Sequence, residues 1–319
     1  MRKILVTGAL GQIGSELVPA LRERYGAERV VASDIRSVPF TGGAGQGPFE
    51  HLDCSDPHEL REVLRRHEIG AIYHLAAILS AVAEEKPQEA WTVNTGGIYR
   101  VLEAARQNAC AVFLPSSIGA FGPSTPRVNT PQDTIQRPTT MYGVTKVACE
   151  LLCDYYALRF GVDARGLRLP GIISHVTPPG GGTTDYAVDI FYQAIRYRHY
   201  RCFLRGDTRL DMMYMPDAAM AMIQLMEAAP GKLKHRNAFN VTAMNFTPEE
   251  LAGEIRKHIP DFKIEYDVDP VRQAIADSWP QSIDDGAARA EWGWAPAYDL
   301  ATMTRDMLDK LGTKLTPVK

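Results

Sequence analysis

An apolar run that breaks into evenly spaced glycines constrains this chain more than any other feature. Residues 3–7 read Lys-Ile-Leu-Val-Thr and pass directly into Gly8-Ala-Leu-Gly11-Gln-Ile-Gly14, a G-x-x-G-x-x-G pattern. Ile13, Leu17 and Leu21 then recur at four-residue spacing, the mark of an amphipathic helix. A strand, a glycine turn and a helix in that order aim backbone N–H groups from a helix N-terminus, where they hold a pyrophosphate. Val30-Val-Ala-Ser-Asp34 predicts a second strand that ends in a carboxylate, 20 residues beyond Gly14. That is where a dinucleotide-binding unit carries its acceptor for a ribose hydroxyl. Asp34 points to NAD rather than NADP because it would repel a 2′-phosphate; Arg36 weakens that preference slightly. A glycine-rich turn and a strand-end cap would explain the parts but not their order.

The alternation of strand and helix continues. Residues 49–53 predict a short strand, 57–67 a helix, 71–75 a strand and 87–107 a long helix. A strand at 110–115, a helix at 142–160 and a sixth strand at 162–169 follow. Such βα units imply an α/β fold, a Rossmann-type doubly wound parallel sheet with ligands at the strand C-termini. Gly8, Asp34, Asp53, Ala76 and Ser117 all fall at or just after those ends. Beyond Pro170 the pattern loosens: Pro178-Pro-Gly-Gly-Gly182 is a loop, residues 238–241 suggest a strand, and Thr247-Pro-Glu-Glu250 opens a capped helix. The expected organisation is an NAD-binding Rossmann domain at 1–170 and a smaller α+β substrate domain at 171–319, the chain returning to the sheet near 236–242.

A net charge of −3 over 319 residues favours neither nucleic acid nor a membrane as partner. The longest notable apolar stretch, Leu75 to Ala83, is too short to span a bilayer. With the first strand opening at residue 2 there is no room for a leader, so a cytoplasmic protein is expected. Five cysteines form no C-x-x-C pair and eight histidines no H-E-x-x-H, so no metal is expected. The basic and aromatic residues of 196–201 read as a solvated helix end.

Tyr142 and Lys146 lie four residues apart, hence on one face of a helix. A phenol alone is a poor base at neutral pH, and an ammonium beside it favours the phenolate. Ser117, with Ser116 beside it, offers a hydroxyl to hold a substrate oxygen as it loses its proton.

Together these residues resemble the extended short-chain dehydrogenase/reductases, the group that contains UDP-galactose 4-epimerase. The likeness rests on Thr7 to Gly14, Asp34, Leu52-Asp53, His74-Leu-Ala-Ala77, Asn94, Ser116-Ser117 before Phe121-Gly122, Tyr142 with Lys146, and Trp292-Gly-Trp294-Ala-Pro296. It implies a cofactor site of Gly8, Gly11, Gln12, Ile13, Gly14, Asp34, Asp53, Leu75, Ala76, Ala77, Asn94, Tyr142, Lys146 and Ile172. The stretch Pro170-Gly-Ile-Ile-Ser174 lacks the asparagine with which nucleotide-sugar members hold a diphosphate, and Ile118-Gly119 replaces the acidic pair of dehydratases. Residues 115–122, 180–187 and 207–217 instead look like the short-chain type of L-threonine 3-dehydrogenase, although many of those carry Thr at position 117.

That resemblance implies NAD-dependent oxidation of L-threonine to 2-amino-3-oxobutyrate. Tyr142 would take the hydroxyl proton, Lys146 would support it and bind the nicotinamide ribose, Ser117 and Ser116 would orient the hydroxyl, and the Cβ hydride would pass to nicotinamide C4. Thr183 and Thr184 suit a carboxylate, Asp185 an ammonium, and Ser80 faces the same cleft. Arg209, where sugar-nucleotide relatives bind phosphate, could then equally be structural or contact substrate. A nucleotide-sugar epimerase or reductase remains an alternative, as does a non-catalytic NAD-binding regulator. In relatives the helices near 87–107 and 142–160 pair across a two-fold axis, which implies a homodimer. Val147, Leu151, Leu152, Tyr155 and Leu158 supply the second helix with an apolar stripe.

Overall fold

The structure is a computed structural model that describes residues 2–37, 47–180 and 182–315. Gly181, part of the glycine run singled out above, lies outside the described residues. The first half alternates β1 (Lys3–Thr7), α1 (Gly14–Tyr25), β2 (Val30–Asp34), β3 (Phe49–His51), α2 (Pro57–Arg66), β4 (Ile69–His74), α3 (Ser80–Glu85), α4 (Pro87–Asn108), β5 (Ala111–Ser117), α5 (Met141–Phe160) and β6 (Ala164–Leu169). Then come β7 (Gly171–Ile173), α6 (Tyr186–Tyr197), β8 (His199–Cys202), β9 (Leu210–Tyr214), α7 (Met215–Glu227), β10 (Phe239–Asn240), β11 (Met244–Phe246), α8 (Pro248–Arg256), β12 (Lys263–Tyr266), α9 (Pro270–Ser278), α10 (Gly286–Trp292) and α11 (Leu300–Leu315).

Seven strands form one parallel sheet in the order β3-β2-β1-β4-β5-β6-β10. The doubly wound α/β class expected from the alternation is the fold observed. The order reverses between β1 and β4, and a crevice opens there at the strand C-termini. Register brings the functional ends level: Thr7 pairs with Ser33 and His74, Ser116 with Arg168 and Ser117 with Leu169.

Strands buried on both faces read as nearly continuous apolar runs, which is why β1 and β2 were plain in the sequence. Leu5, Val31, Ile72, Val112 and Leu114 face α4 and α5, while Ile4, Val6, Tyr73 and Phe113 face the layer of α1 and α7. That second layer departs from the expected organisation. The chain rejoins the sheet at β10, but α7 packs with α1 before it does. Helix α7 reads Met-Pro-Asp-Ala-Ala-Met-Ala-Met-Ile-Gln-Leu-Met-Glu, apolar on nearly every side, so its sequence carried no period to mark its inner face.

A third core joins α6, α8 and α11 with β9 and β11 through Phe191, Tyr214, Phe246, Leu251, Met303 and Met307. Around it lie a three-stranded sheet, β11-β9-β7, and a parallel pair, β8 and β12. Residues 196–201 are not simply a solvated helix end: α6 stops at Tyr197 and Tyr200 is buried in β8. Thr247 and Glu250 form the full capping box of α8, with Pro248 at its first position. No helix among the described residues is long and apolar enough to cross a membrane, and no group of three His, Cys, Asp or Glu among them is placed to hold a metal.

Candidate active site

The turn between β1 and α1 is built by its glycines. Gly8 adopts φ +70°, and a Cβ there would stand 2.8 Å from the Ala76 nitrogen. A Cβ on Gly14 would lie 2.4 Å from the Gly8 carbonyl, so this glycine seats α1 directly against the turn. Gly8 and Gly11 border a cavity of about 420 Å³ together with Asp34, Arg36, Asp53, Cys54, His74, Leu75, Ala76, Ala77 and Ile78. A backbone cradle at the turn, a buried carboxylate to one side and an apolar floor after β4 fit a dinucleotide.

Asp34 is 5 % exposed and fully engaged. It accepts from the Leu10 and Arg36 backbone N–H groups at 3.0 Å, and from Arg36 Nε at 2.9 Å and Nη2 at 3.2 Å. Burial alone would raise its pKa, but the Arg36 guanidinium and the two backbone donors hold it below the ordinary value. The Arg36 that the sequence places as a slight weakening of NAD preference is thus paired directly with Asp34. Asp53 accepts from the Ser55 N–H at 2.8 Å. Burial pushes the Cys54 thiol up to about 12, so it offers no nucleophile.

His74 is buried, with Nδ1 2.8 Å from Thr7 Oγ1 and no partner for Nε2 among the described residues. Burial, with help from the nearby Lys146 charge, lowers its pKa to about 4 and keeps the ring neutral.

Leu75 and Ala77 also border a second, smaller cavity of about 150 Å³. Around it stand Gln12, Ile13, Ser80, Ser116, Ser117, Tyr142, Lys146, Ile172, Thr183, Thr184 and Asp185. Residues from six separate stretches of sequence thus meet at one crevice. Helix α5 begins one residue before Tyr142, with Thr140 Oγ1 accepting from the Gly143 N–H at 3.1 Å. One turn on, Lys146 lies 5.3 Å from the centre of the Tyr142 ring and donates to the Pro115 carbonyl at 2.8 Å. Lys146 is only 4 % exposed, so its charge acts where water screens little. Ser117 Oγ accepts from the Gly119 N–H at 3.1 Å, which leaves its own proton to be donated.

Three expected site residues stand otherwise. Asn94 borders neither cavity: its amide accepts from the Ile78 N–H and donates to the Ile78 carbonyl and Thr145 Oγ1, tying the loop after β4 to α5. Gly14 also borders neither, because its place is the close packing of α1. Asp185 reaches the small cavity, but its Oδ2 accepts from the Gly180 and Gly182 N–H groups at 2.7 and 2.8 Å, stapling the glycine loop. Arg209 is committed to Glu250 and to Asn245 Oδ1 at 3.1 Å. Sequence reasoning missed Trp279, which borders the small cavity from just past the end of α9 and stands in no motif shared with the catalytic residues.

A model of the NAD dependent epimerase/dehydratase family matches residues 4–242. An uncharacterized epimerase/dehydratase of Staphylococcus aureus (strain MRSA252) is 56% identical over 316 residues, 99% of this chain and 98% of that protein. The X-ray structure of an L-threonine dehydrogenase from Clostridium difficile is similar at 57% identity and TM-score 0.96, covering 98% of each chain. A monomeric L-threonine 3-dehydrogenase from a metagenome, in its apo form, is similar at 44% identity and TM-score 0.94, covering 98% of this chain and 100% of that one.

Proposed function

The chain belongs to the NAD dependent epimerase/dehydratase family as an oxidoreductase whose cofactor is NAD, and we propose that it oxidises L-threonine at the Cβ hydroxyl to 2-amino-3-oxobutyrate. The observation that carries this reading is the small cavity: Tyr142, Lys146 and Ser117 share about 150 Å³ with Thr183, Thr184 and Asp185. That space suits an amino acid, whereas a nucleotide sugar has several times the bulk. The withdrawal of Arg209 into Glu250 and Asn245 removes the cation such a substrate would need. The likeness to L-threonine dehydrogenases over nearly the whole chain supports the same substrate.

Gly8, Gly11 and Asp34 would hold the pyrophosphate and adenosine ribose of NAD, and Lys146 the nicotinamide ribose. NAD supplies the acceptor for the Cβ hydride. Ser117, its oxygen already accepting from Gly119, donates to the substrate hydroxyl oxygen and fixes its direction. Tyr142 takes the hydroxyl proton while the Lys146 ammonium sits beside its ring. Thr183 and Thr184 receive the substrate carboxylate, with Ser80 opposite. Asp185 draws the ammonium while its other oxygen keeps the glycine loop closed.

The reading includes a homodimer built on α4 and α5, where Trp91, Tyr99, Leu151, Tyr155 and Leu158 are exposed, Leu158 at 89 %. The test of function is NADH absorbance with threonine, serine and UDP-sugars offered in parallel. Turnover of threonine is expected; turnover of a UDP-sugar alone, or of nothing, overturns the proposal.

A further inference from the structure

Glu150 stands on α5 one turn beyond Lys146 and two turns beyond Tyr142, and it is 3 % exposed. A carboxylate so deeply buried must be satisfied on both oxygens. Arg168 of β6 donates to it through Nε at 3.1 and 3.2 Å and through Nη2 at 2.9 Å, and Gln136 Nε2 donates at 2.9 Å. The remaining donor is the Ser116 hydroxyl. Arg168 continues the chain of contacts to the Gln132 carbonyl at 2.8 Å and to Asn240 Oδ1 of β10 at 3.1 Å. One buried carboxylate therefore fastens the helix that carries Tyr142 to three neighbouring strands, β5, β6 and β10.

We infer that Glu150 is a positioning residue for the reaction proposed above, setting the height of α5 against β5 and assigning opposite hydrogen-bond polarity to the two adjacent serines. Ser116 gives its proton to Glu150, so toward the cavity it can only accept. Ser117 accepts from the Gly119 N–H, so toward the cavity it donates. A substrate hydroxyl then meets a single side-chain donor of the pair, which orients its own proton toward Tyr142. Without Glu150 both serines are free to donate, and α5 loses the contact that fixes its slide along the sheet. Misplacements of about 1 Å at a reacting centre cost about a hundredfold in rate.

This inference rests on the threonine reading, and the experiment separates the two. Glu150→Gln, Ser116→Ala and the double variant are assayed for threonine-dependent NADH formation, with NAD affinity by titration and thermal unfolding alongside. The expected result is a kcat about ten- to a hundredfold lower in each single variant, with the KM for threonine and the NAD affinity within about twofold of wild type. The double variant falls no further than the worse single one, because the pair acts as a unit. Should Glu150→Gln fail to fold with Arg168 left unpaired, Ser116→Ala and the charge-balanced Glu150→Gln/Arg168→Gln protein carry the test. An unchanged kcat in any folded variant overturns the inference while leaving the threonine reading intact. So do losses that multiply in the double variant, or NAD affinity falling in step with kcat, which marks general loosening. A wild type idle on threonine removes both readings.

Discussion

Replacing Asp34 by alanine tests the cofactor site at the point where sequence and structure add different information. Asp34 is buried beside the dinucleotide cavity, and its carboxylate is held in place by two backbone donors and Arg36. A 2′-phosphate brought within about 4 Å of it at an effective dielectric of about 20 is opposed by about 4 kcal/mol per pair of charges. With partial solvation that corresponds to a preference of about 10²–10³ for NAD over NADP, since each 1.4 kcal/mol is about tenfold. Removing the carboxylate abolishes the repulsion and also the charged hydrogen bond proposed to the ribose, a loss of about 1.5–3 kcal/mol in NAD affinity. It also releases Arg36, which now spends its guanidinium on Asp34. The Arg36 side chain is 55 % exposed, so its gain toward a phosphate is only about 0.2–1 kcal/mol. Asp34→Ala should therefore weaken NAD about ten- to a hundredfold, strengthen NADP by lifting the repulsion, and close most of the gap. The assay is kcat/KM with each cofactor, checked by direct binding. A wild type that uses both equally, or a ratio unchanged in Asp34→Ala, refutes the reasoning.

Tyr142→Phe should lower kcat by about 10²–10⁴ while NAD still binds, and Ser117→Ala should cost about 10²–10³; near wild-type turnover in Tyr142→Phe would mean that the proton leaves by another route. His74 predicts a step in stability with pH. The unfolded histidine takes its proton near 6.5 and the native one only near 4, so stability is complete above pH 6.5 and is lost as pH falls from 6.5 toward 4. The loss is roughly 3 kcal/mol. Urea midpoints across that range should show it in the wild type and a shallower slope in His74→Asn; equal slopes would assign the step elsewhere. Light scattering at micromolar concentration should give a dimer, broken by Leu158→Glu with Tyr155→Glu; a fully active wild-type monomer, the state named for one relative, would refute the interface.

Local chemistry made much of this protein readable in advance. The β1–α1 turn announces itself because glycine adopts φ +70° without strain at Gly8 and leaves room for the contact of α1 with the turn at Gly14. Tyr142 and Lys146 share a helix face by spacing alone, and the Thr247–Glu250 box marks the start of α8 within four residues. Each is a relation between near neighbours, and near-neighbour relations are what periodicity and capping record. Whatever depends on distant pairs stayed hidden until the chain was folded. Asn94 is spent on Ile78 and Thr145, and Arg168 on Gln132 and Asn240, because a polar side chain taken out of water must find whichever partners packing brings to it. Helix α7 hid its side of the sheet by being apolar all round. Glu150 and Arg168 are 18 residues apart on different elements, and Trp279 lies far along the chain from the other residues that line the small cavity. The sequence determined which chemistry the chain carries and on which elements; only the tertiary structure decided which of those polar groups are left free to meet a ligand, since that depends on partners no local pattern can name.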